Sequence, residues 1–137
     1  MKKEVEVVAA IIIDNDKFLC TQRNKSKYEY ISYKYEFPGG KVESGETLED
    51  AIIREIKEEL DSEVEVKSKY LTVRHEYPDF IVVMHSFLCE MLSEKIILKE
   101  HIDSKWLSNA ELSSLDWAEA DLPIIKKLNG DIDDGCL

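Results

Sequence analysis

Residues 37–60 constrain this chain more than any other stretch. Phe37-Pro38-Gly39-Gly40-Lys41-Val42-Glu43-Ser44-Gly45-Glu46 carries three of the five glycines and a proline, and reads as a loop. Thr47 to Leu60 reads as a helix. Thr47 stands where an N-cap belongs, Glu49 and Asp50 lie in the first turn, and strong helix formers follow. At about 100° per residue, Leu48, Ala51, Ile52 and Ile56 share one arc that should face a core. Asp50, Arg54, Lys57 and Asp61 fall opposite and should face water. Glu55, Glu58 and Glu59, at i, i+3 and i+4, fall on the apolar side. Three inward carboxylates repel one another and resist desolvation. A divalent cation removes the conflict, and an oxygen-rich site suits Mg²⁺, with Mn²⁺ as the alternative. A solvated acidic patch at a helix end is the plain competitor. The inward placement and the glycine loop weigh against it.

Gly40, five residues, Glu46, seven residues, then Arg54-Glu55-Ile56-Lys57-Glu58-Glu59 resembles the signature of the Nudix hydrolases, in particular the MutT-like nucleoside triphosphate pyrophosphohydrolases. One departure is visible: Asp61 and Ser62 stand where that pattern continues with a glycine and an aliphatic residue. The glycine ends the helix, and Asp reaches the same left-handed conformation at greater cost.

The resemblance implies an α/β protein, an α/β/α sandwich around a mixed central sheet. It implies hydrolysis of a nucleoside triphosphate to a monophosphate and pyrophosphate. Glu55, Glu58 and Glu59 are the expected metal ligands, joined by the Gly40 carbonyl. Glu100, in the loop before Lys105-Trp106-Leu107, matches a further ligand or base, and the general base is Glu55, Glu59 or Glu100. Arg54 can orient Glu58 by an ion pair. Glu43 and Glu46 hold the loop or an outer metal. Arg23, at the end of the second strand, matches a phosphate or sugar contact. Phe37 and Tyr77 are further substrate contacts. Trp117-Ala118-Glu119-Ala120-Asp121-Leu122-Pro123-Ile124 resembles the family's C-terminal segment, where the residue matching Asp121 reaches the base edge. Ionised, Asp121 suits the amino group of cytosine; protonated, it suits the O6 and N7–H edge of 8-oxoguanine. A helix cap is the competing role for it. The leading substrate is an oxidised purine triphosphate such as 8-oxo-dGTP, the rival CTP or a modified dCTP. A non-catalytic nucleotide sensor would show degraded signature carboxylates, and these are intact. A purely structural acidic domain would show no Mg²⁺-dependent stabilisation.

At 137 residues, 44% of them hydrophobic, the chain suits one globular domain over 1–137, with a flexible acidic tail from about residue 129. A net charge of −11 argues against nucleic acid polymers and anionic membranes as partners. No apolar run approaches the roughly 20 residues of a membrane span, and Glu4 and Glu6 interrupt any signal-peptide core. Cys20, Cys89 and Cys136 are scattered and odd in number, as in a cytoplasmic protein with reduced thiols. The partner expected is a small-molecule nucleotide, bound by a monomer or homodimer.

Along the chain, Val5–Ile13 reads as a strand covered on both faces and Lys17–Gln22 as its hairpin partner. Asn24–Lys34, rich in Lys and Tyr, reads as a flexible loop bordering the site. Tyr35-Glu36-Phe37 is a short strand, Glu63–His75 a strand interrupted near Ser68, and Ile81–Leu92 the longest strand. Tyr77 and Phe80 are candidates to flank a base, with core packing the stronger expectation for Phe80. His101 reads as an exposed loop residue. The last helix is expected to end near Leu128.

Overall fold

A computed structural model describes residues 2–135, with side chains through residue 130. β1 (Lys3–Asp14) and β2 (Lys17–Gln22) form a hairpin about Asn15 and Asp16, both at positive φ (51° and 62°). Two successive left-handed residues match the right-handed twist of the strands, and Asn and Asp tolerate that conformation best after Gly. There follow β3 (Tyr35–Glu36), β4 (Gly39–Lys41), α1 (Leu48–Leu60), β5 (Val64–Glu76), β6 (Phe80–Met91), β7 (Asp103–Leu107) and α2 (Leu122–Gly135). Short 3₁₀ turns lie at Glu29–Ile31, Asn109–Ser114 and Glu119–Asp121.

The seven strands form one mixed sheet. β1 is its axis, parallel to β6 and antiparallel to β2 and β4. β5 extends the sheet beyond β6, while β3 and β7 pair with β2. Successive side chains of β1 enter different cores, because side chains alternate across a strand. Val8, Ala10 and Ile12 pack with Ala51, Ile52, Ile56 and Leu60 of α1. Ala9 and Ile11 pack with Ile124, Ile125 and Leu128 of α2. The continuous apolar run of β1 is therefore a strand buried on both faces. Full burial of an Ile or Leu here contributes roughly 1.5–3 kcal/mol. Cys20 and Cys89 are buried, one in each core; Cys136 lies outside the described residues.

The helix signals act as expected. Thr47 Oγ1 accepts the Asp50 N–H at 3.1 Å, and Asp61 ends α1 at φ 50°, ψ 40°. The interruption near Ser68 is real: the β5–β6 register shifts between Val66 and Ser68 and again between Lys69 and Thr72. The buried Ser86 hydroxyl compensates, donating to Leu71 O at 2.6 Å and accepting Leu71 N–H at 3.1 Å. α2 differs from expectation, running past Leu128 to Gly135. No helix among the described residues is long and apolar enough to cross a membrane.

Candidate active site

β4 and α1 build one end of the site. Antiparallel pairing of Gly39 and Gly40 with Ala9 and Val8 lays the glycine loop over β1. A Cβ on Gly39 would overlap the Val8 carbonyl, and one on Gly40 would overlap the Glu55 carboxylate. Bare backbone is thus required at Gly39 for the strands to pair, and at Gly40 it leaves room for the Glu55 carboxylate. Glu59 is 8% exposed and its Oε1 accepts the Gly39 N–H at 3.1 Å. Burial pushes its carboxyl up to about 9, helped by the charges of Glu36, Glu55 and Glu100 and a hydrogen bond with Glu100. Burial also raises Glu55, with Glu58 and Glu100 adding to the rise and Arg54 opposing it. Lys99 N–H donates to Glu59 O at 3.0 Å and Ile97 N–H to Leu60 O at 2.8 Å, which ties the loop carrying Glu100 to the end of α1.

Arg54 organises the loop side. Its Nε donates to Glu46 Oε2 at 2.6 Å, and Nη1 reaches Glu55 at 2.8 Å, Glu58 at 3.2 Å and Glu43 at 3.4 Å. Nη2 donates to Lys41 O and Glu46 Oε1, both at 2.9 Å. The Arg54 bond, with a backbone hydrogen bond at Glu43, brings Glu46 down to about 2. Glu46 Oε1 in turn accepts the Glu43 N–H at 3.0 Å, closing the loop on itself.

The other end is a cavity of about 460 Å³ that reaches from Gly39, Gly40 and Lys41 to Arg23, Glu36, Phe37, Tyr77 and Asp121. Asp121 is buried, and its Oδ1 accepts the Phe37 N–H at 3.1 Å. Burial and then the charge of Glu36 hold its carboxyl well above the usual range. Tyr77 is buried, and its hydroxyl accepts the Ala120 N–H at 2.9 Å. An aromatic group of Tyr28, Tyr30, Tyr77 and Phe80, with ring centroids 5.2–5.5 Å apart, packs beside the cavity. Tyr30 Oη donates to Asp79 at 2.8 Å, so the 24–34 segment is tied to the β5–β6 turn.

A NUDIX domain profile matches residues 3–128. The chain belongs to the NUDIX family. An 8-oxo-dGTP diphosphatase of Escherichia coli is 33% identical over 128 residues, 93% of this chain and 98% of that protein. A CTP pyrophosphohydrolase of the same organism is 32% identical over 124 residues, 90% of each chain. A solution structure of MutT, a Nudix hydrolase from methicillin-resistant Staphylococcus aureus, superposes with a TM-score of 0.74 at 43% identity, covering 96% of this chain and 99% of that one.

This NUDIX chain brings Glu55, Glu58, Glu59 and Glu100 within electrostatic reach around one end of α1, with Gly40 against the Glu55 carboxylate. Glu58 departs from the inward reading: its side chain is 58% exposed. It lies at the edge of the apolar arc, paired with Arg54 at 3.2 Å. Arg54, placed on the water face by the same geometry, folds back and is 22% exposed. His101 is also corrected, from exposed to buried. Glu36, which the sequence did not single out, lies between the two ends and joins Arg23 to His101. Among the described residues, no three acidic, histidine or cysteine side chains close into a finished ion cage. Arg54 occupies Glu55 and Glu58 as they stand. The donor set nonetheless fits a hard divalent cation: all oxygen, clustered, and with one carboxyl driven toward protonation by burial and by its acidic neighbours.

Proposed function

We propose that the protein hydrolyses a nucleoside triphosphate to the monophosphate and pyrophosphate, with an oxidised purine triphosphate such as 8-oxo-dGTP as the leading substrate. The buried Asp121 at the far end of the cavity carries the substrate reading. Its raised pKa favours the neutral acid, which presents one donor and can pair with the O6 and N7–H edge of 8-oxoguanine. An ionised carboxylate would instead suit the amino group of cytosine, so CTP is the second reading; both names occur among the relatives. Arg23 contacts phosphate or sugar, and Phe37 and Tyr77 complete the walls. Lys3, Lys27 and Lys41 line the same cavity as Arg23, together with Glu36, Asp79 and Asp121, so cations are at hand for a polyanion on a chain of net charge −11.

Gly40 O, Glu55, Glu58, Glu59 and Glu100 would hold Mg²⁺, or Mn²⁺ in its place. When bound, such an ion neutralises phosphate charge and lowers the pKa of its water. Arg54 and Glu46 keep the glycine loop against α1, so the Gly40 carbonyl stays beside Glu55. One carboxylate of Glu55, Glu59 and Glu100 takes the proton from the attacking water.

The test is a product assay over 8-oxo-dGTP, dGTP, CTP, 5-methyl-dCTP, nucleotide sugars and dinucleoside polyphosphates, with Mg²⁺, with Mn²⁺ and with EDTA. The reading expects metal-dependent release of pyrophosphate, fastest from 8-oxo-dGTP. Release of orthophosphate, or a preference for nucleotide sugars, refutes it.

A further inference from the structure

We infer that His101 is a positioning residue for nucleotide binding: through Glu36 it holds Arg23 against the cavity. The inference rests on the nucleotide reading above, in which Arg23 touches the substrate.

His101 comes from a polar loop, yet its side chain is 3% exposed. The backbone is pinned on both sides of it, by Lys99 N–H on Glu59 O and Ile102 N–H on Gln22 O, each at 3.0 Å. Pairing of Gln22 with Asp103, where β2 meets β7, continues the attachment. The imidazole is therefore delivered to the end of β2, beside Arg23. Its Nε2 lies 3.0 Å from Glu36 Oε2. A carboxylate only accepts, so Nε2 carries the proton.

Nδ1 is buried with no partner. An imidazole with one unpaired buried nitrogen costs free energy that an apolar side chain of similar size would avoid. Packing alone does not account for a histidine here, and the bond to Glu36 does. The other Glu36 oxygen accepts Arg23 Nη1 at 3.0 Å. Both carboxylate oxygens are thus committed, one to each side chain. Arg23 has no second fixed contact through Nε, which is also buried and unpartnered. One hydrogen bond leaves a guanidinium free to pivot unless its acceptor is itself fixed, and His101 fixes that acceptor. Arg23 and Glu36 line the cavity, whereas His101 does not. It has no direct contact with the cavity and reaches it through them.

A competing role exists, because His101 follows Glu100 and supports that loop. The two roles separate kinetically. Loop support acts through Glu100 and lowers kcat; positioning acts through Arg23 and raises KM. The test measures both constants with Mg²⁺ on 8-oxo-dGTP and on CTP for wild type, His101→Phe, His101→Gln, Arg23→Ala and the Arg23→Ala/His101→Phe double variant. His101→Phe should raise KM about tenfold with kcat changing less than about threefold. His101→Gln, which retains an N–H for Glu36, should recover most of that loss. Adding His101→Phe to Arg23→Ala should cost nothing further, since both act on one contact. If His101→Phe does not fold, His101→Asn, polar but too short for Glu36, takes its place. Effects that multiply in the double variant, a fall in kcat as large as the rise in KM, or an unchanged KM each overturn the assignment. A wild type inactive on both nucleotides overturns the parent reading and this one with it, whereas an active wild type with an indifferent His101 overturns this one alone.

Discussion

Replacing Glu59 by Gln should make the metal-free protein more stable and the enzyme nearly inactive. In the native protein the Glu59 carboxyl sits near 9 against an ordinary 4.5, chiefly because burial disfavours its charge and Glu36, Glu55 and Glu100 add repulsion. The folded state therefore keeps a proton that the unfolded state gives up above 4.5. That contribution is complete below pH 4.5 and is lost as pH rises toward 9. At pH 7 the loss spans 2.5 pH units above the ordinary value, on the order of 3 kcal/mol. Relaxation around a coupled cluster reduces it, so about 1–3 kcal/mol is expected. Gln removes the titration while keeping an oxygen for the Gly39 N–H and gaining an N–H for Glu100. For a chain of this size the gain is about 3–10 °C in Tm at pH 7 in EDTA, shrinking to nothing near pH 4.5. With Mg²⁺ the order should reverse, because only the wild type offers the carboxylate to the ion. Turnover should fall by two or more orders of magnitude. Scanning calorimetry from pH 4.5 to 9, with and without Mg²⁺, measures the first part and pyrophosphate release the second. A variant less stable than wild type at pH 7 to 8 in EDTA refutes the electrostatic reasoning, and wild-type turnover refutes the role.

Gly40→Ala should abolish activity while the fold survives, because the added methyl displaces the Glu55 carboxylate; a Mg²⁺ titration of thermal stability should show weakened binding. Asp121→Asn should leave the Phe37 N–H bonded and remove a carboxyl held above its usual range, so Tm should rise relative to wild type as pH climbs from 4 to 8, and the ratio of 8-oxo-dGTP to CTP turnover should change. Asp61→Gly should stabilise by about 0.5–1 kcal/mol, since Asp61 sits at φ 50° and Gly reaches that conformation without a Cβ clash; equilibrium denaturation checks it.

Local chemistry was legible and long-range delivery was not. Thr47, Asp61 and the two-faced β1 were readable because a cap, a left-handed terminus and an apolar run each act within a few residues. Of the three glutamates read as inward, Glu59, near the middle of the apolar arc, is the most buried, and Glu55 follows. Phase alone misjudged Glu58 and Arg54, because it tracks Cα direction. A long side chain at the arc's edge goes where its charge partners are, and Arg54 reaches back to Glu46, Glu55 and Lys41 O. Glu36 and His101 carried no local signal at all. Their pairing exists only because β2, β3 and the loop before β7 converge.

The interior arrangement explains why such a chain accepts the cost of buried acids. Glu36, Glu59 and Asp121 interact electrostatically within one region, with Arg23 the cation they share. Glu36 raises both of the other two, while its own two oxygens are paired with Arg23 and His101. From there it adds to the upward shift that burial imposes on both acids. At Asp121 that shift favours the neutral carboxyl that can donate to a base edge. At Glu59 it leaves a carboxyl that gains most from a cation. A single half-buried glutamate therefore acts on both ends of the cavity. Replacing it by Gln should lower the pKa of both acids together, an outcome that no independent account of the two ends requires.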